Sequence, residues 1–301
     1  MAYPIIDALA GRMISVNGEL VAASAPAAGI TYQPTEDKMF YEVIRVVRGI
    51  PLFWEDHMDR LIRSVKDEMI VPSTLYQESV SLIAANELSA ANLRIVLTKN
   101  LRALHLTPSY YPDESQIQQG VPTGLLSWER EDPNVKVIRS DYKKAVAERF
   151  AQPGPFGSFF ELLLADQAGY LTEGSRSNLF FLLGNEVLTA PDSKILIGIT
   201  RKYVQQSIDK AGLSLTTRML TLDDVRAMRS AGTAIAAFLS GSPIDLMPIR
   251  AIEDIELDSA ADLSFRKLRD AYMAIVNSYI DNRKSLIADY PHGDPYGDHA
   301  V

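Results

Sequence analysis

A lysine pair, a carboxylate beside a run of small donors, and a strand turning directly into a helix are the places where this 301-residue chain could do chemistry. Lys143 and Lys144 follow the segment VKVIRS, and an amine there becomes a nucleophile once it loses its proton. LTEGSRSNLFFL sets Glu173 against a Gly-Ser-Arg-Ser-Asn turn, a carboxylate next to hydroxyl and amide donors. ILIGITRKYVQQ runs through Gly198 into a helix with Thr200 near its N-cap. Backbone N–H groups without intrahelical partners, a hydroxyl and the helix dipole together make an anion site there. Each feature alone is common, since paired lysines on a helix are usually solvated and many polar turns look alike. Their weight comes from occurring together and in this order.

The elements that must carry these residues fall into two halves. ISVNGELVAA and EVIRVVRGIPLFW read as hairpins turning at Asn17-Gly18 and Arg48-Gly49, where positive φ is tolerated. From Glu55, Met58, Leu61, Ile62 and Val65 share one helical face. A second helix is predicted from Thr74 to Leu88, then a strand over NLRIVLTKN. SYYPDESQIQQGVPTG, rich in Pro, Gly and polar residues, reads as the connection between domains. Beyond it, GLLSW, VKVIRS, FFELLLAD, GYLTEG, NLFFLLGNEVLTAP, KILIGI and TAIAAFLSG are predicted strands. Helices are predicted over Lys143 to Phe150, Arg201 to Ala211, LTLDDVRAMRSA and Leu263 to Ile287. The expected organisation is an N-terminal α+β domain over 1–115, a linker at 116–124, a C-terminal domain over 125–290 and a loose tail at 291–301.

Composition sets outer bounds. A 47% hydrophobic chain of this length can bury a sizeable core. The formal charge of −8 argues against a general nucleic-acid or membrane-surface binder, while leaving room for a local basic site. With no cysteine, disulfides and cysteine-based metal or redox chemistry are excluded. The four histidines, His57, His105, His292 and His299, are scattered, so no metal site is expected. No apolar run approaches a membrane helix, and the N-terminal segment has no basic start followed by a long apolar run. A cytoplasmic protein without a secretory signal is the expectation.

VIRSDYK, TEGSRSNLF and GITR, in this order, resemble the fold-type IV pyridoxal-phosphate enzymes, the class IV aminotransferases. That family includes branched-chain and D-amino acid aminotransferases and 4-amino-4-deoxychorismate lyases. EVIRV and the segment EDHMDRLIRS, similar to the family's His-x-x-Arg-Leu helix, extend the resemblance from about Ser15 to Pro248. It implies an α/β (α+β) fold of two domains, the smaller N-terminal and α+β, the larger C-terminal and β-barrel-like. It implies pyridoxal 5′-phosphate held as a Schiff base on Lys143, with Lys144 the competing position. Glu173 matches the acid that pairs with the pyridine nitrogen. Arg60, Ile199, Thr200, Ser177, Asn178 and Ser242 are implied at the phosphate, where the planar fork of an arginine suits two parallel hydrogen bonds. FLSGSPIDLMPI resembles the family's glycine-threonine turn, which puts Gly241 at the substrate. Arg94, Lys99 and Arg102 are alternative carboxylate-binding residues, and Tyr32 is placed at the pocket's aromatic position. Two segments depart from the family pattern. No Arg or Gly precedes EVIRV in ITYQPTEDKMFY, and Val146 and Glu148 stand where Asn and Tyr commonly follow the lysine.

The resemblance implies transfer of an amino group between an amino acid and a 2-oxo acid, in a homodimer acting on small molecules, with no nucleic acid and no membrane partner. Elimination of pyruvate from aminodeoxychorismate is the alternative on the same scaffold. The altered pocket walls also admit a binding protein that keeps the fold without transamination.

Overall fold

The computed structural model describes residues 3–109, 111–131, 133, 134, 136 and 139–289, without the side chains of 284–289. The expected tail at 291–301, with His292 and His299, lies outside the described residues, as does part of the expected strand VKVIRS. The chain divides into two compact units, one of residues 1–110, 136–140 and 276–301, the other of 111–135 and 141–275.

In the first unit, β1 (Tyr3–Pro4) pairs with β4 (Pro34–Thr35). A six-stranded antiparallel sheet joins β2 (Ala10–Val16), β3 (Glu19–Ala22), β5 (Phe40–Val47), β6 (Ile50–Pro51), β7 (Ala90–Leu97) and β8 (Arg102–Thr107) in the order β3-β2-β8-β7-β5-β6. The hairpin turns form where Asn17 and Gly18 reach φ 52 and 94, and where Arg48 and Gly49 reach 54 and 79. Along β5, Phe40, Glu42, Ile44 and Val46 are buried, while Tyr41, Val43, Arg45 and Val47 are half-buried on the opposite face. Helices α1 (Trp54–Val65) and α2 (Leu75–Asn86) cover the face that carries Glu42. The register Val43↔Arg94↔His105 puts Tyr41, Asn92, Arg94 and His105 on the other face, around a small core that includes Ile5, Ile6, Ile14 and Met39.

The second unit opens with α3 (Glu114–Gln119), whose reciprocal cap of Asp113 and Gln116 builds a helix inside the stretch read as a connection. Then come β9 (Val121–Ser127), α4 (Ser140–Phe150), β10 (Glu161–Ala165), β11 (Leu171–Gly174), β12 (Asn178–Leu183), β13 (Glu186–Thr189), α5 (Ile199–Lys210), β14 (Ser214–Thr217), α6 (Leu222–Ser230), β15 (Ala236–Gly241), β16 (Asp245–Ile252), β17 (Ile255–Glu256) and α7 (Leu263–Asp289), whose residues from Val276 on belong to the first unit. Strands run β11-β10-β9-β16-β15-β12-β13-β14, and an extra β11–β12 pairing closes six of them into a ring. Its strands are buried almost throughout, as a closed, helix-covered sheet requires. The apolar run KILIGI is not the strand its composition suggests. Its polar backbone groups go to side chains instead of a ladder: Leu196 N–H donates to Glu173 at 3.1 Å and Leu196 C=O accepts from Asn178 at 2.8 Å.

Candidate active site

In the second unit, the turn between β11 and β12 is built on buried carboxylates. Glu173 closes β11 opposite Asn178, the first residue of β12, and is 3% exposed. Its Oε1 accepts from Arg130 Nε at 2.5 Å and its Oε2 from the Leu196 amide at 3.1 Å. Glu161 on β10 holds the rest of the turn, accepting from Ser175 Oγ at 2.5 Å and Ser177 Oγ at 3.1 Å. Ser177 is therefore committed to the turn itself. Gly174 cannot be replaced cheaply, because a Cβ there would lie 2.1 Å from Ser177 Oγ.

Lys143 lies on α4 next to Tyr142, which contacts this turn. Tyr142 donates its hydroxyl to Ser175 C=O at 2.7 Å, its ring lies 5.3 Å from that of Trp128, and Arg130 Cζ stands 5.2 Å above it. Arg130 thus joins the carboxylate to the lysine-bearing helix. Lys144 is exposed and faces Glu148 across one turn at 3.7 Å, a solvated pair. A cavity of about 210 Å³ adjoins Arg130, lined also by Trp128, Glu129, Thr172 and Lys194.

The start of α5 lies one residue-row away. Gly198 is its N-cap and supplies no side-chain acceptor, so the first helical amides are left for another partner. Gly198 is needed for space and not for φ, which is −75°; a Cβ would meet Asn178 Oδ1 at 2.2 Å. Ile199 and Thr200 are buried at the helix start. Asn178 pairs across the ring with Ser240 on β15, whose buried Oγ has no partner, with Gly241 and Ser242 following. Arg201, the last residue of the GITR segment, turns away from this site and ties Thr189, Ala190 and Asp192 together.

The second unit carries Lys143, Glu173, Ser177, Asn178, Ile199, Thr200, Gly241 and Ser242; Glu173, Ser177 and Asn178 meet at the β11–β12 turn, and Asn178 packs against Gly198 at the α5 start and pairs in register with Ser240. In the first unit Arg60 on α1 donates Nε and Nη2 to Glu42 at 2.7 and 2.6 Å, and His57 Nδ1 lies 2.7 Å from the same carboxylate. Burial pushes the Glu42 carboxyl up, but the Arg60 charge and the hydrogen bonds from Arg60 and His57 outweigh it and hold the group at about 2. The three basic residues expected at a substrate carboxylate are separated. Arg94 lies on the face bearing Tyr41 and His105, Lys99 is exposed in the β7–β8 turn, and Arg102 turns to α2, where Glu78 accepts from it at 3.1 Å. Tyr32, at the end of a 3-10 turn over 26–32, is 39% exposed.

Comparison with known proteins decides the family. The pattern described as amino-transferase class IV matches residues 39–252, most of the chain. The protein belongs to the class IV aminotransferases. This is a family of pyridoxal-phosphate enzymes, and the donors found here fit that group: a buried acid for a ring nitrogen, and an uncapped helix start beside an unpartnered hydroxyl for a phosphate. The chain is 26% identical over 170 residues to a branched-chain-amino-acid aminotransferase of Pseudomonas aeruginosa, covering 56% of this chain and 53% of that one. It is 25% identical over 272 residues to a D-alanine aminotransferase of Bacillus licheniformis, covering 81% and 90%. Its fold is like that of 4-amino-4-deoxychorismate lyase from Pseudomonas aeruginosa, with a TM-score of 0.65, 22% identity and coverage of 85% and 97%. Among the described residues, no helix of this class IV aminotransferase is long and apolar enough to cross a membrane, and no group of three metal-ligating side chains occurs.

Sequence reasoning missed Arg130, Glu161 and Glu42. Arg130 and Glu161 sit in no recognisable motif, Glu42 lies inside the EVIRV strand without being singled out there, and each acquires its partners only when segments apart in the chain fold together.

Proposed function

We propose that this protein is an aminotransferase that moves an amino group between an amino acid and a 2-oxo acid, with Lys143 as the catalytic amine. The observation that carries the reading is Glu173, a buried carboxylate fixed by Arg130 and Leu196 on the same turn that borders the start of α5. Pyridoxal phosphate, when bound, supplies a sink for the electrons left behind when a substrate Cα loses its proton. Glu173 would hold a proton on the ring nitrogen, favouring that charge in a site shielded from water. Ile199 and Thr200 amides, Ser242 and Asn178 would receive the phosphate, where the positive end of α5 favours a dianion. Lys143 Nζ, once a free amine, takes the proton from the substrate Cα and returns it in the reverse half-reaction. Tyr142, pinned to Ser175, keeps that helix turn facing the acid.

The absorbance spectrum of the purified protein beside Lys143→Ala, with and without a panel of L- and D-amino acids, tests this. A visible band present in wild type, missing in the variant and bleached by particular amino acids is expected. A wild-type protein that stays colourless after soaking with pyridoxal phosphate overturns the reading. Pyruvate released from aminodeoxychorismate without a 2-oxo acid acceptor identifies the lyase reaction instead.

A further inference from the structure

Among the polar residues of the second unit, Asp245 carries two costs at once. Its backbone stands at φ 51, the left-handed region that residues with a Cβ avoid, and its side chain is 1% exposed. Such outliers persist only where the surroundings over-determine them, and they gather at ligand clamps. Asp245 closes the turn that begins at Gly241. Ile244 N–H donates to Gly241 C=O at 3.0 Å, and Asp245, the first residue of β16, pairs in register with Gly241, the last of β15. Inside the turn, Ser242 precedes Pro243, whose ring keeps the residue before it out of helical backbone. On one side the turn rests on the β11–β12 turn. A Cβ on Gly241 would stand 3.5 Å from Arg176 C=O and 3.6 Å from Ser177 Cβ, both ordinary contacts.

The restraint on the other side comes from α7. Phe265, Leu268 and Tyr272 lie at i, i+3 and i+7 and are all buried, so they share one face of that helix. The Phe265 ring lies 5.5 Å from that of Phe238 on β15, and Phe238 stacks on Phe180 of β12 at 4.9 Å, which seats the helix on the closed sheet. Two helical turns beyond Phe265, Tyr272 is 1% exposed and donates its hydroxyl to Asp245 Oδ1 at 3.0 Å. A core aromatic thus ends in a polar tip, and the tip meets the residue whose backbone is strained.

We propose that Tyr272 and Asp245 are positioning residues that hold the Gly241–Ile244 turn so that the Ser242 hydroxyl meets the cofactor phosphate. This rests on the reading above that Ser242 serves the phosphate, and both residues act through the turn. Contact with Arg176 and Ser177 sets how far the turn stands from its neighbour, while the directional bond from Tyr272 sets its orientation. A donor that has to be ordered when the ligand arrives loses affinity, and a turn already braced by a buried hydrogen bond avoids that loss.

Tyr272→Phe removes the hydroxyl and keeps the ring. The full-length protein freed of cofactor is titrated by fluorescence with pyridoxal 5′-phosphate and, separately, with pyridoxal, which lacks the phosphate. The dissociation constant for the phosphate ester should rise about tenfold in the variant, the size of one hydrogen bond to a charged group, while that for pyridoxal stays as in wild type. Asp245→Asn keeps an acceptor oxygen and tolerates left-handed backbone, so it should hold wild-type affinity, and Asp245→Ala should match Tyr272→Phe. Hydrogen exchange of the same cofactor-free proteins should show the amides of residues 241, 242, 244 and 245 exchanging faster in Tyr272→Phe, with those of β12 and β13 unchanged. Equal weakening of both ligands, or exchange in the turn that matches wild type, overturns the proposal. A wild-type protein that binds no pyridoxal phosphate overturns the aminotransferase reading, and the role of Ser242 with it. Faster exchange in Tyr272→Phe then still shows that the hydroxyl holds the turn.

Discussion

Glu173 and Glu42 show how one residue type is made to serve two ends by its donors. Glu42 is wholly buried, and Arg60 saturates both of its oxygens in a fork that His57 completes. Glu173 takes the Arg130 guanidinium on one oxygen and the Leu196 amide, from the stretch before α5, on the other. The first arrangement locks a helix to a sheet; the second fixes a buried carboxylate at the turn between β11 and β12. Arg130 is then a positioning residue for Glu173, and its removal should be felt in two ways. Arg130→Met leaves the buried acid with the Leu196 amide as its remaining partner from this pair. Stability should fall by about 2 kcal/mol, as for other hydrogen bonds to buried charges. The visible band of the cofactor-loaded protein should also shift, because the proton on the ring nitrogen is less well held. Urea midpoints and absorbance maxima of the two proteins check this. A variant that matches wild type in both would leave Arg130 as a packing residue of the Trp128–Tyr142 cluster.

At the scale of elements, the site depends on irregular chain lying next to regular strands. The stretch before α5 gives its amide and carbonyl to Glu173 and Asn178, and Gly198 lets the backbone come within contact of Asn178. Gly198→Ala should push Asn178 aside and tilt the first turn of α5. The dissociation constant for pyridoxal phosphate, read by fluorescence titration, should rise roughly tenfold, equivalent to about 1.4 kcal/mol. An unchanged constant would remove the α5 start from the phosphate role. This element also marks what the sequence can and cannot convey. The hairpins at Asn17-Gly18 and Arg48-Gly49 are legible because the turns need positive φ, a local demand that local residues answer. KILIGI reads as a strand because apolar composition does not reveal that its hydrogen bonds go to side chains 18 and 23 residues away in the chain. The segments that hold Lys143, Glu173 and Thr200 are legible as family segments because they carry a family pattern that the match over residues 39–252 shares. Arg130 is invisible for the opposite reason: its partner lies 43 residues on, and WERED has no spacing that announces a pairing.

For the whole molecule, a net charge of −8 describes the surface, while the acid response is set by a few buried groups in the first unit. Burial, opposed by Glu42, leaves His57 below its ordinary value of 6.5, and burial with Arg94, against Asp7, takes His105 to about 3. Both rings take up a proton less readily in the folded chain than in the unfolded one, so stability falls as the pH drops below 6.5, and for His105 the fall continues to about pH 3. Glu42, held at about 2 against 4.5 when unfolded, adds stability above pH 4.5 that disappears as the pH drops towards 2. Stability should therefore decline as the pH falls below 6.5, with His105 contributing down to about pH 3 and Glu42 joining it below pH 4.5. Between pH 6.5 and 5, His105 alone should account for about 2 kcal/mol, the work of leaving one group unprotonated for 1.5 pH units. His105→Leu, which fills the same buried position without titrating, should flatten the decline by this amount between pH 6.5 and 5 and by a further ~2 kcal/mol between pH 5 and 3.5, leaving the Glu42 contribution below pH 4.5 in place. Urea midpoints of the two proteins at pH 7.5, 5 and 3.5 decide the matter. Parallel curves across all three would mean that His105 takes up its proton without unfolding, which its complete burial beside Arg94 argues against.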